Sequence, residues 1–252
     1  MGSQRLILVD GSGYIFRAFY ALPPMSREDG TPVNAVFGFT SMLLKLSEDM
    51  EGENILVVFD AARTTFRNEI YKEYKANRSE PPEELVPQFD LIKKATTAIG
   101  LKSLEVENYE ADDIIATYVK IAKKENIETL VISSDKDLMQ LIQDGVSLYD
   151  PMKNIKIGPE AVLEKFGVSP DKVIDVQALA GDSSDNVPGV PGIGVKTASQ
   201  LINEYGSLEK LLDNASSIKQ EKRRESLLNN AELAIVSKKL VSLFSDVPIP
   251  YK

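Results

Sequence analysis

The 252-residue sequence contains no cysteine and no histidine. The absence of cysteine excludes disulfides, thiolate zinc sites and cysteine nucleophiles. The absence of histidine excludes Ser-His-Asp catalysis and every imidazole metal site. Chemistry must therefore use carboxylates, lysine, tyrosine or hydroxyl groups. Any bound metal would have oxygen ligands, which favours magnesium, calcium or manganese over zinc or copper.

Long apolar runs are also missing. None approaches the roughly 18 residues that a membrane span requires. The stretch Met1 to Asp10 places one arginine before only four apolar residues, so it lacks the core of a secretory signal. These absences predict a cytoplasmic protein with no membrane partner. The hydrophobic fraction of 43% and charged fraction of 27% are ordinary for a globular chain.

The chain is acidic, with 29 basic and 38 acidic residues and a net charge of −9. Taken alone, this balance argues mildly against a polyanionic partner such as nucleic acid. Nine acids, however, stand in short motifs, and without them the remaining acids equal the 29 bases in number. The acidic balance therefore does not exclude nucleic acid. The nine are Asp10, Asp60, Glu110, Asp112, Asp113, Asp135, Asp137, Asp182 and Asp185.

Three short apolar runs each end at an aspartate and predict strands buried on both faces. Helical patterns lie between them, so we expect an α/β fold with a mainly parallel sheet. The predicted strands are Arg5 to Asp10, Asn54 to Asp60 and Thr129 to Asp135. The predicted helices are Val33 to Leu46, Pro82 to Ile99, Ala111 to Lys124, Pro159 to Phe166, Pro170 to Ala180 and Lys196 to Tyr205.

The β-rich runs stop near Pro159, and only short helical segments follow. We therefore expect an α/β core over residues 1–158 and a smaller helical region over residues 159–252. In parallel sheets, ligands collect at the carboxyl ends of the strands. Asp10, Asp60 and Asp135 are all expected at that edge.

The nine acids predict a site as a group, although one aspartate after a strand commonly caps a helix or holds a turn. Asp182 and Asp185 are expected one helical turn apart. Two like charges about 4 Å apart repel by about 4 kcal/mol at an effective dielectric of 20, so converging carboxylates require cations. Oxygen ligands suit magnesium, and two such ions about 3.5 to 4 Å apart form a phosphodiester-cleaving site.

Two segments carry local positive charge. Residues 63–78 include five basic side chains interleaved with Phe66, Tyr71 and Tyr74. These rings would stack on single-stranded bases, although aromatic spacing on a helix is more often packing. The second basic run comprises Lys219, Lys222, Arg223 and Arg224.

Residues 186–206 predict a helix-hairpin-helix, in which Gly192-Ile193-Gly194 separates two short helical segments. The glycines allow close approach to a phosphate, and the helix that begins near Lys196 and Thr197 presents amides that favour an anion. Such a hairpin grips the DNA backbone without reading bases. A bare glycine-rich turn is the alternative.

Six ordered motifs resemble the 5′ nuclease (5′-3′ exonuclease) domain of bacterial DNA polymerase I, within the flap endonuclease superfamily. The resemblance covers essentially the whole chain and rests on the set rather than on one member. The motifs are LVDGSGYIFRAFYAL (8–22), VVFDAARTTFR (57–67), YKEYKANR (71–78), YEADDIIAT (109–117), SSDKDLMQL (133–141) and GDSSDNVPGVPGIGVKTA (181–198), together with their order.

The resemblance implies a PIN-like nuclease core, a helical arch over about residues 63–99, and two metal ions, magnesium with manganese as a substitute. It implies a first ligand set of Asp10, Asp60, Glu110 and Asp112, and a second set of Asp135, Asp137, Asp182 and Asp185. Asp113 matches a further family carboxylate and is expected in a supporting shell of the metal site.

The resemblance also implies that Lys75 approaches the scissile phosphate, with Arg78 beside it. Arg63, Arg67 and Tyr74 are expected to contact DNA from the arch. The hairpin is expected to bind a potassium ion at Gly192 to Gly194. The implied substrates are DNA with a 5′ flap, a nick or an RNA primer, in the bacterial nucleoid. The implied protein is a monomer, either stand-alone or attached to a polymerase domain.

Other functions stay open at this point. A metal-dependent single-strand ribonuclease would share the acidic site, but it has little use for a duplex clamp. A phosphatase of the haloacid dehalogenase type would need an aspartate two residues after Asp10, where Ser12 stands. A DNA-structure binding module would use the carboxylates structurally and would bind flaps without cleaving them.

Overall fold

The computed structural model of this chain describes residues 5–50, 53–151 and 153–250. The first four residues of the stretch Met1 to Asp10 lie outside this part. Within the described residues, no helix combines the length and apolar character needed to cross a membrane.

Six strands form one sheet in the order β3-β2-β1-β4-β5-β6. All neighbouring pairs are parallel except β5 and β6, which are antiparallel. The predicted mainly parallel α/β fold is therefore confirmed. The strands are β1 (Leu6–Asp10), β2 (Asn54–Val58), β3 (Lys102–Leu104), β4 (Thr129–Ile132), β5 (Val146–Asp150) and β6 (Ile155–Ile157).

Helices cover both faces of the sheet and continue into the helical C-terminal region. They are α1 (Gly11–Ala21), α2 (Asn34–Asp49), α3 (Phe66–Ile70), α4 (Val86–Ala98), α5 (Ala111–Lys124), α6 (Pro159–Phe166), α7 (Val173–Ala180), α8 (Val195–Tyr205), α9 (Leu208–Asp213), α10 (Glu221–Asn229) and α11 (Ala231–Val241). Short 3₁₀ segments lie at Asp137–Leu141, Pro170–Lys172 and Ala215–Ser217.

Strand β1 shows why the apolar runs are continuous. Ile7 and Val9 pack in one hydrophobic cluster with α1, α2 and α4, whereas Leu8 packs in the cluster on the opposite face with α5. All three side chains are fully buried. The latter cluster continues into α6, α7 and α8, so the core crosses the predicted 158/159 boundary without a break.

Strand β1 lies between β2 and β4, so the chain winds outward from it in both directions. In open α/β sheets this reversal leaves a crevice beyond the carboxyl ends of the central strands. Asp10 is the last residue of β1 and lies at that crevice. Asp60 and Asp135 lie just past their strands, because β2 ends at Val58 and β4 at Ile132.

The predicted arch over residues 63–99 is corrected by the structure. It contains the five-residue α3, a series of turns, and α4, which begins at Val86 rather than Pro82. Helix α4 packs on the sheet through the fully buried Ile92. Residues 71–78, called the strap below, form turns rather than a helix, and Tyr74, Lys75 and Arg78 of the strap line the crevice.

The predicted helical spacing of Asp182 and Asp185 is wrong. Residues 182–187, called the acidic turn below, are closed by hydrogen bonds in both directions between Asp182 and Val187. Helix α7 stops because Gly181 has a φ of +70°. A side chain there would come within 2.6 Å of the Val187 carbonyl oxygen, so the backbone approach requires glycine.

The predicted hairpin also differs in extent. Residues 186–194 contain no helix, so the helix before Gly192 is α7, which lies upstream of the predicted range. Helices α7 and α8 pack against each other and are joined by residues 181–194. Two prolines and four glycines in this connection prevent a continuous helix.

Candidate active site

Eight of the nine predicted acids line one pocket of about 240 Å³ at the carboxyl edge of the sheet. They come from β1, the loops after β2 and β4, the start of α5 and the acidic turn. The eight are Asp10, Asp60, Glu110, Asp112, Asp135, Asp137, Asp182 and Asp185. The pocket therefore collects carboxylates that are separated by up to 175 residues along the chain.

Local hydrogen bonds hold the acids nearest β1. Asp10 caps α1 by accepting from the backbone N–H of Gly13 at 3.1 Å, and its other oxygen accepts from the Ser133 hydroxyl at 2.8 Å. Asp60 accepts from the backbone N–H of Ala111 at 2.7 Å, which joins the loop after β2 to the first turn of α5. Each bond leaves further lone pairs on the carboxylate.

The acids on the other side of the pocket are paired with polar or basic groups. Asp182 forms an ion pair with Lys136 at 2.5 Å between Nζ and Oδ2. Asp137 accepts from the side-chain amide of Gln177 at 2.5 Å. Asp185 forms ion pairs with Lys75 at 3.6 Å and with Arg78. This half of the site is thus partly neutralised by the protein's own cations.

Crowding shifts the ionisation of several acids. Burial, followed by neighbouring charges, raises the pKa of Asp10 from 3.8 to about 6. Burial and the nearby Asp135 raise the pKa of Asp137 to about 7. Burial and the charges of Asp135 and Asp10 also raise the pKa of Asp112 well above its ordinary value. The negative charge is costly here unless a cation offsets it.

A divalent cation fits this donor set, because every available ligand is a carboxylate oxygen and the charge is unfavourable without a counterion. Among the described residues, however, no three acids are arranged to hold a metal ion as they stand. Lys75 lies 2.8 Å from Glu110, and Lys136 pairs with Asp182. The acids therefore share one pocket but do not form a ready ligand shell.

The strap places Lys75 and Arg78 on the pocket. Burial alone would lower the pKa of Lys75, but Glu110 and other neighbours raise it above its ordinary value. The backbone N–H of Lys75 donates to the Asp185 carbonyl at 2.9 Å, and the residue has a φ of +56°. Three further strap contacts fix this geometry: Asn77 to Ser183 O at 2.7 Å, Asn186 to Glu73 O at 2.6 Å and Arg78 to Asp185.

Two predicted site residues, Arg67 and Asp113, form a buried pair beside the pocket. Arg67 is 1% exposed and Asp113 is 0% exposed. Two hydrogen bonds of 2.7 Å join the guanidinium to the carboxylate. Arg67 therefore lines the pocket without being an exposed DNA contact. Asp113 accepts from the backbone N–H of Glu110 at 3.1 Å, so it lies behind a proposed ligand, in keeping with its expected supporting position.

Tyr74 is also not placed for stacking on DNA, which corrects its predicted contact. Its ring is 5% exposed, and its hydroxyl donates to Glu110 at 3.2 Å. Arg63 is exposed beside the strap, where it donates to the Arg78 carbonyl at 2.7 Å and pairs with Glu80. It does not line the pocket.

The hairpin residues form an exposed strip on the C-terminal region. Gly192, Gly194 and Lys196 are exposed, and Thr197 is half-buried. No side chain caps the N-terminus of α8, so its first backbone N–H groups have no intrahelical partner. The apolar Ile193 between the glycines is buried and anchors the turn.

Sequence reasoning missed three residues that hold the acids: Ser133, Lys136 and Gln177. Ser133 and Lys136 stand within the SSDKD motif, so their position beside Asp135 was available as a signal. Gln177 lies on α7, 40 residues from the Asp137 that it contacts. No local pattern predicts that long-range contact.

The fold agrees with the comparisons to known proteins. A family model described as "5'-3' exonuclease, N-terminal resolvase-like domain" matches residues 5–167. A second, "5'-3' exonuclease, C-terminal SAM fold", matches residues 168–252. The chain belongs to the 5′-3′ exonuclease family.

Particular relatives place the chain more closely. DNA polymerase I of Rhizobium leguminosarum is 54% identical over 254 residues, which cover 98% of this chain and 25% of the relative. The chain thus spans about a quarter of that polymerase.

Solved structures carry the same fold. The bacteriophage T5 D15 protein, co-crystallised with metal ions, has a TM-score of 0.82 at 25% identity, covering 96% of this chain and 90% of that one. The T5 D15 flap endonuclease, in a complex with DNA and metal ions, has a TM-score of 0.79 at 24% identity over the same shares and supports the fold alone.

Proposed function

We propose that this chain is a structure-specific, divalent-metal-dependent nuclease that hydrolyses phosphodiester bonds at 5′ flaps, nicks and RNA primers annealed to DNA. The observation that carries this proposal is the single pocket lined by eight carboxylates, with Lys75 and Arg78 at its edge. Family membership supports 5′-3′ exonuclease chemistry. The expected products carry a 5′-phosphate and a 3′-hydroxyl.

Two divalent ions would be held by two sets of ligands. Asp10, Asp60, Glu110 and Asp112 would hold the first, and Asp135, Asp137, Asp182 and Asp185 the second. When bound, the ions would lower the pKa of the attacking water and neutralise charge on the phosphate. Magnesium is the expected ion, with manganese as a substitute, and the T5 D15 structure with metal ions supports metal binding.

The protein's own cations have a separate role. Lys75 is 18% exposed and is held at the pocket by the left-handed turn of the strap. On substrate binding, its ammonium group would move from Glu110 to the scissile phosphate and stabilise the developing charge there. Arg78 is half exposed and would contact an adjacent phosphate.

Duplex DNA would be held at the hairpin, away from the acidic pocket. The exposed amides at the start of α8, with Lys196 and Thr197, suit a phosphate because a helix N-terminus carries partial positive charge. A potassium ion between Gly192, Gly194 and the duplex backbone would strengthen this contact. Such binding recognises the duplex without reading its sequence.

The proposed cellular setting follows from the relatives. The chain spans about a quarter of the polymerase I relative that it matches. A covalently attached polymerase would fill the gap that the nuclease leaves. We place the protein in the bacterial cytoplasm at the nucleoid, as a monomer. We divide it into a nuclease core at residues 1–158 and a DNA-binding region at residues 159–252.

A substrate panel tests the proposal. The purified chain is incubated in magnesium with a labelled 5′ flap duplex, a nicked duplex, an RNA primer annealed to DNA and a matched single strand. We expect incision near the flap junction and weaker cleavage of the free strand. Cleavage confined to unpaired RNA would support the ribonuclease alternative, and flap binding without cleavage would support the binding-module alternative.

A further inference from the structure

Helix α10 is joined to the hairpin loop by a specific side-chain contact. The Ser226 hydroxyl donates to the carbonyl oxygen of Pro191 at 2.6 Å. Pro191 directly precedes Gly192, the first glycine of the hairpin. This bond fixes one face of α10 beside the strip proposed to hold a duplex.

The same face of α10 is basic. Lys222 and Arg223 precede Ser226 by four and three residues, so they lie one helical turn away on the same side. Lys222 is exposed and Arg223 is half-buried, and neither forms an ion pair within the described residues. By contrast, the neighbouring Arg224 donates to the Ile218 carbonyl at 2.8 Å and is committed to local structure.

The hairpin beside this face is open. At Gly192 and Gly194, an added Cβ would meet no atom within 4 Å. A partner with regularly spaced negative charge fits this surface. The surface offers open space, uncapped backbone amides and unpaired cations on adjoining elements. Glu225 lies three residues after Lys222 and borders this face, whereas Glu221 lies on the side of α10 opposite Ser226.

We infer that α10 supplies a second contact to the duplex backbone, through Lys222 and Arg223, and that Ser226 holds it in register with the hairpin. The inference rests on the proposed function and extends its duplex contact.

Salt-dependent binding of a blunt-ended DNA duplex tests the inference. The full chain is titrated in EDTA, so that cleavage does not occur, across a series of salt concentrations. The double variant Lys222→Gln/Arg223→Gln should bind more weakly. The magnitude of its negative slope of log affinity against log salt should decrease by about 1.8, because two phosphate contacts are lost. Ser226→Ala should weaken binding with little change in slope, since both charges remain.

The matched control is Lys45→Gln/Lys94→Gln, which removes two exposed charges from α2 and α4 on the opposite face of the sheet. This variant should keep the wild-type slope. An unchanged slope in Lys222→Gln/Arg223→Gln, or an equal fall in the control, would overturn the inference. Thermal melting of every variant verifies that the fold is retained.

The two proposals fail in distinguishable ways. If the wild-type chain cleaves flaps in magnesium while the α10 variant keeps its duplex slope, the α10 contact is wrong and the nuclease proposal stands. If the wild-type chain binds the duplex with the α10-dependent slope but never cleaves a flap, the nuclease proposal is wrong and the α10 contact stands.

Discussion

The Arg67 guanidinium and the Asp113 carboxylate form a fully buried, bidentate pair with two hydrogen bonds of 2.7 Å. Arg67 also donates to the carbonyl oxygens of Leu240 and Ser242, at the end of α11. Asp113 accepts from the backbone N–H of Glu110, the residue that precedes α5. The pair therefore ties α3, α5 and α11 together directly behind the acidic pocket.

Replacement of Arg67 should be strongly destabilising. Arg67→Ala leaves the Asp113 charge buried without its partner, so we expect a loss of about 3 to 5 kcal/mol in the free energy of unfolding. Urea denaturation measures this loss, with the exposed Arg27→Ala as control. A change below about 1 kcal/mol would show that the pair is not a structural anchor.

Lys75 and Lys72 offer a matched comparison within the strap. Lys75→Ala removes the ammonium group at the pocket, so the single-turnover cleavage rate of a flap duplex should fall by about 100-fold or more. Lys72 is exposed and does not line the pocket, so Lys72→Ala should cleave at nearly the wild-type rate. Equal rates for the two variants would contradict the role proposed for Lys75.

The raised carboxyl pKa values predict how metal-free stability changes with pH. On folding, the pKa of Asp10 rises from 3.8 to about 6 and that of Asp137 to about 7. Between pH 4 and 7 these groups bind more protons in the folded chain than in the unfolded chain. Their contribution to stability therefore decreases as pH rises through this window.

Urea unfolding in EDTA at pH 5 and pH 8 measures this dependence. Asp10→Asn removes one of the raised groups, so it should stabilise the metal-free chain at pH 8 and reduce the difference between the two pH values. Asp171→Asn, at an exposed position outside the pocket, is the control for removal of one carboxylate. If the stability of Asp10→Asn changed between pH 5 and pH 8 as much as that of the wild type, the raised pKa of Asp10 would be contradicted.

Local sequence patterns predicted much of the fold because the strands alternate with amphipathic helices. Ala111–Lys124 and Pro159–Phe166 match their predicted bounds, since each begins at a strong start signal and shows clear periodicity. Local spacing predicted a helix for the acidic turn, and this prediction was wrong. The backbone there is set by the close contact between Gly181 and Gly189. That contact depends on tertiary packing rather than on local spacing.

The site was predictable to the level of the pocket but not of its partners. Asp10, Asp60 and Asp135 could be placed together because parallel strands share one carboxyl edge. The burial of Arg67 and Tyr74 could not be read from a charged and aromatic segment, since both pack against α11 and Arg67 bonds to Leu240, 173 residues further along the chain. Charge in a sequence indicates neither exposure nor pairing.

Asp135 separates binding from catalysis. Asp135→Ala removes a proposed ligand of the second metal ion while leaving the hairpin and α10 intact. We expect loss of flap cleavage in magnesium, with flap affinity within a few-fold of wild type. Asp171→Ala is the control for loss of an acid. Preserved cleavage in Asp135→Ala would remove this residue from the ligand set.

The most direct measurement is cleavage of one 5′-labelled flap duplex by the wild-type chain, with magnesium and with EDTA, at a fixed modest salt concentration. Hydrolysis that depends on divalent cations is the central claim for the eight-carboxylate pocket. We predict incision near the flap junction in magnesium and no incision in EDTA. Equal incision in both conditions, or none in either, would contradict it.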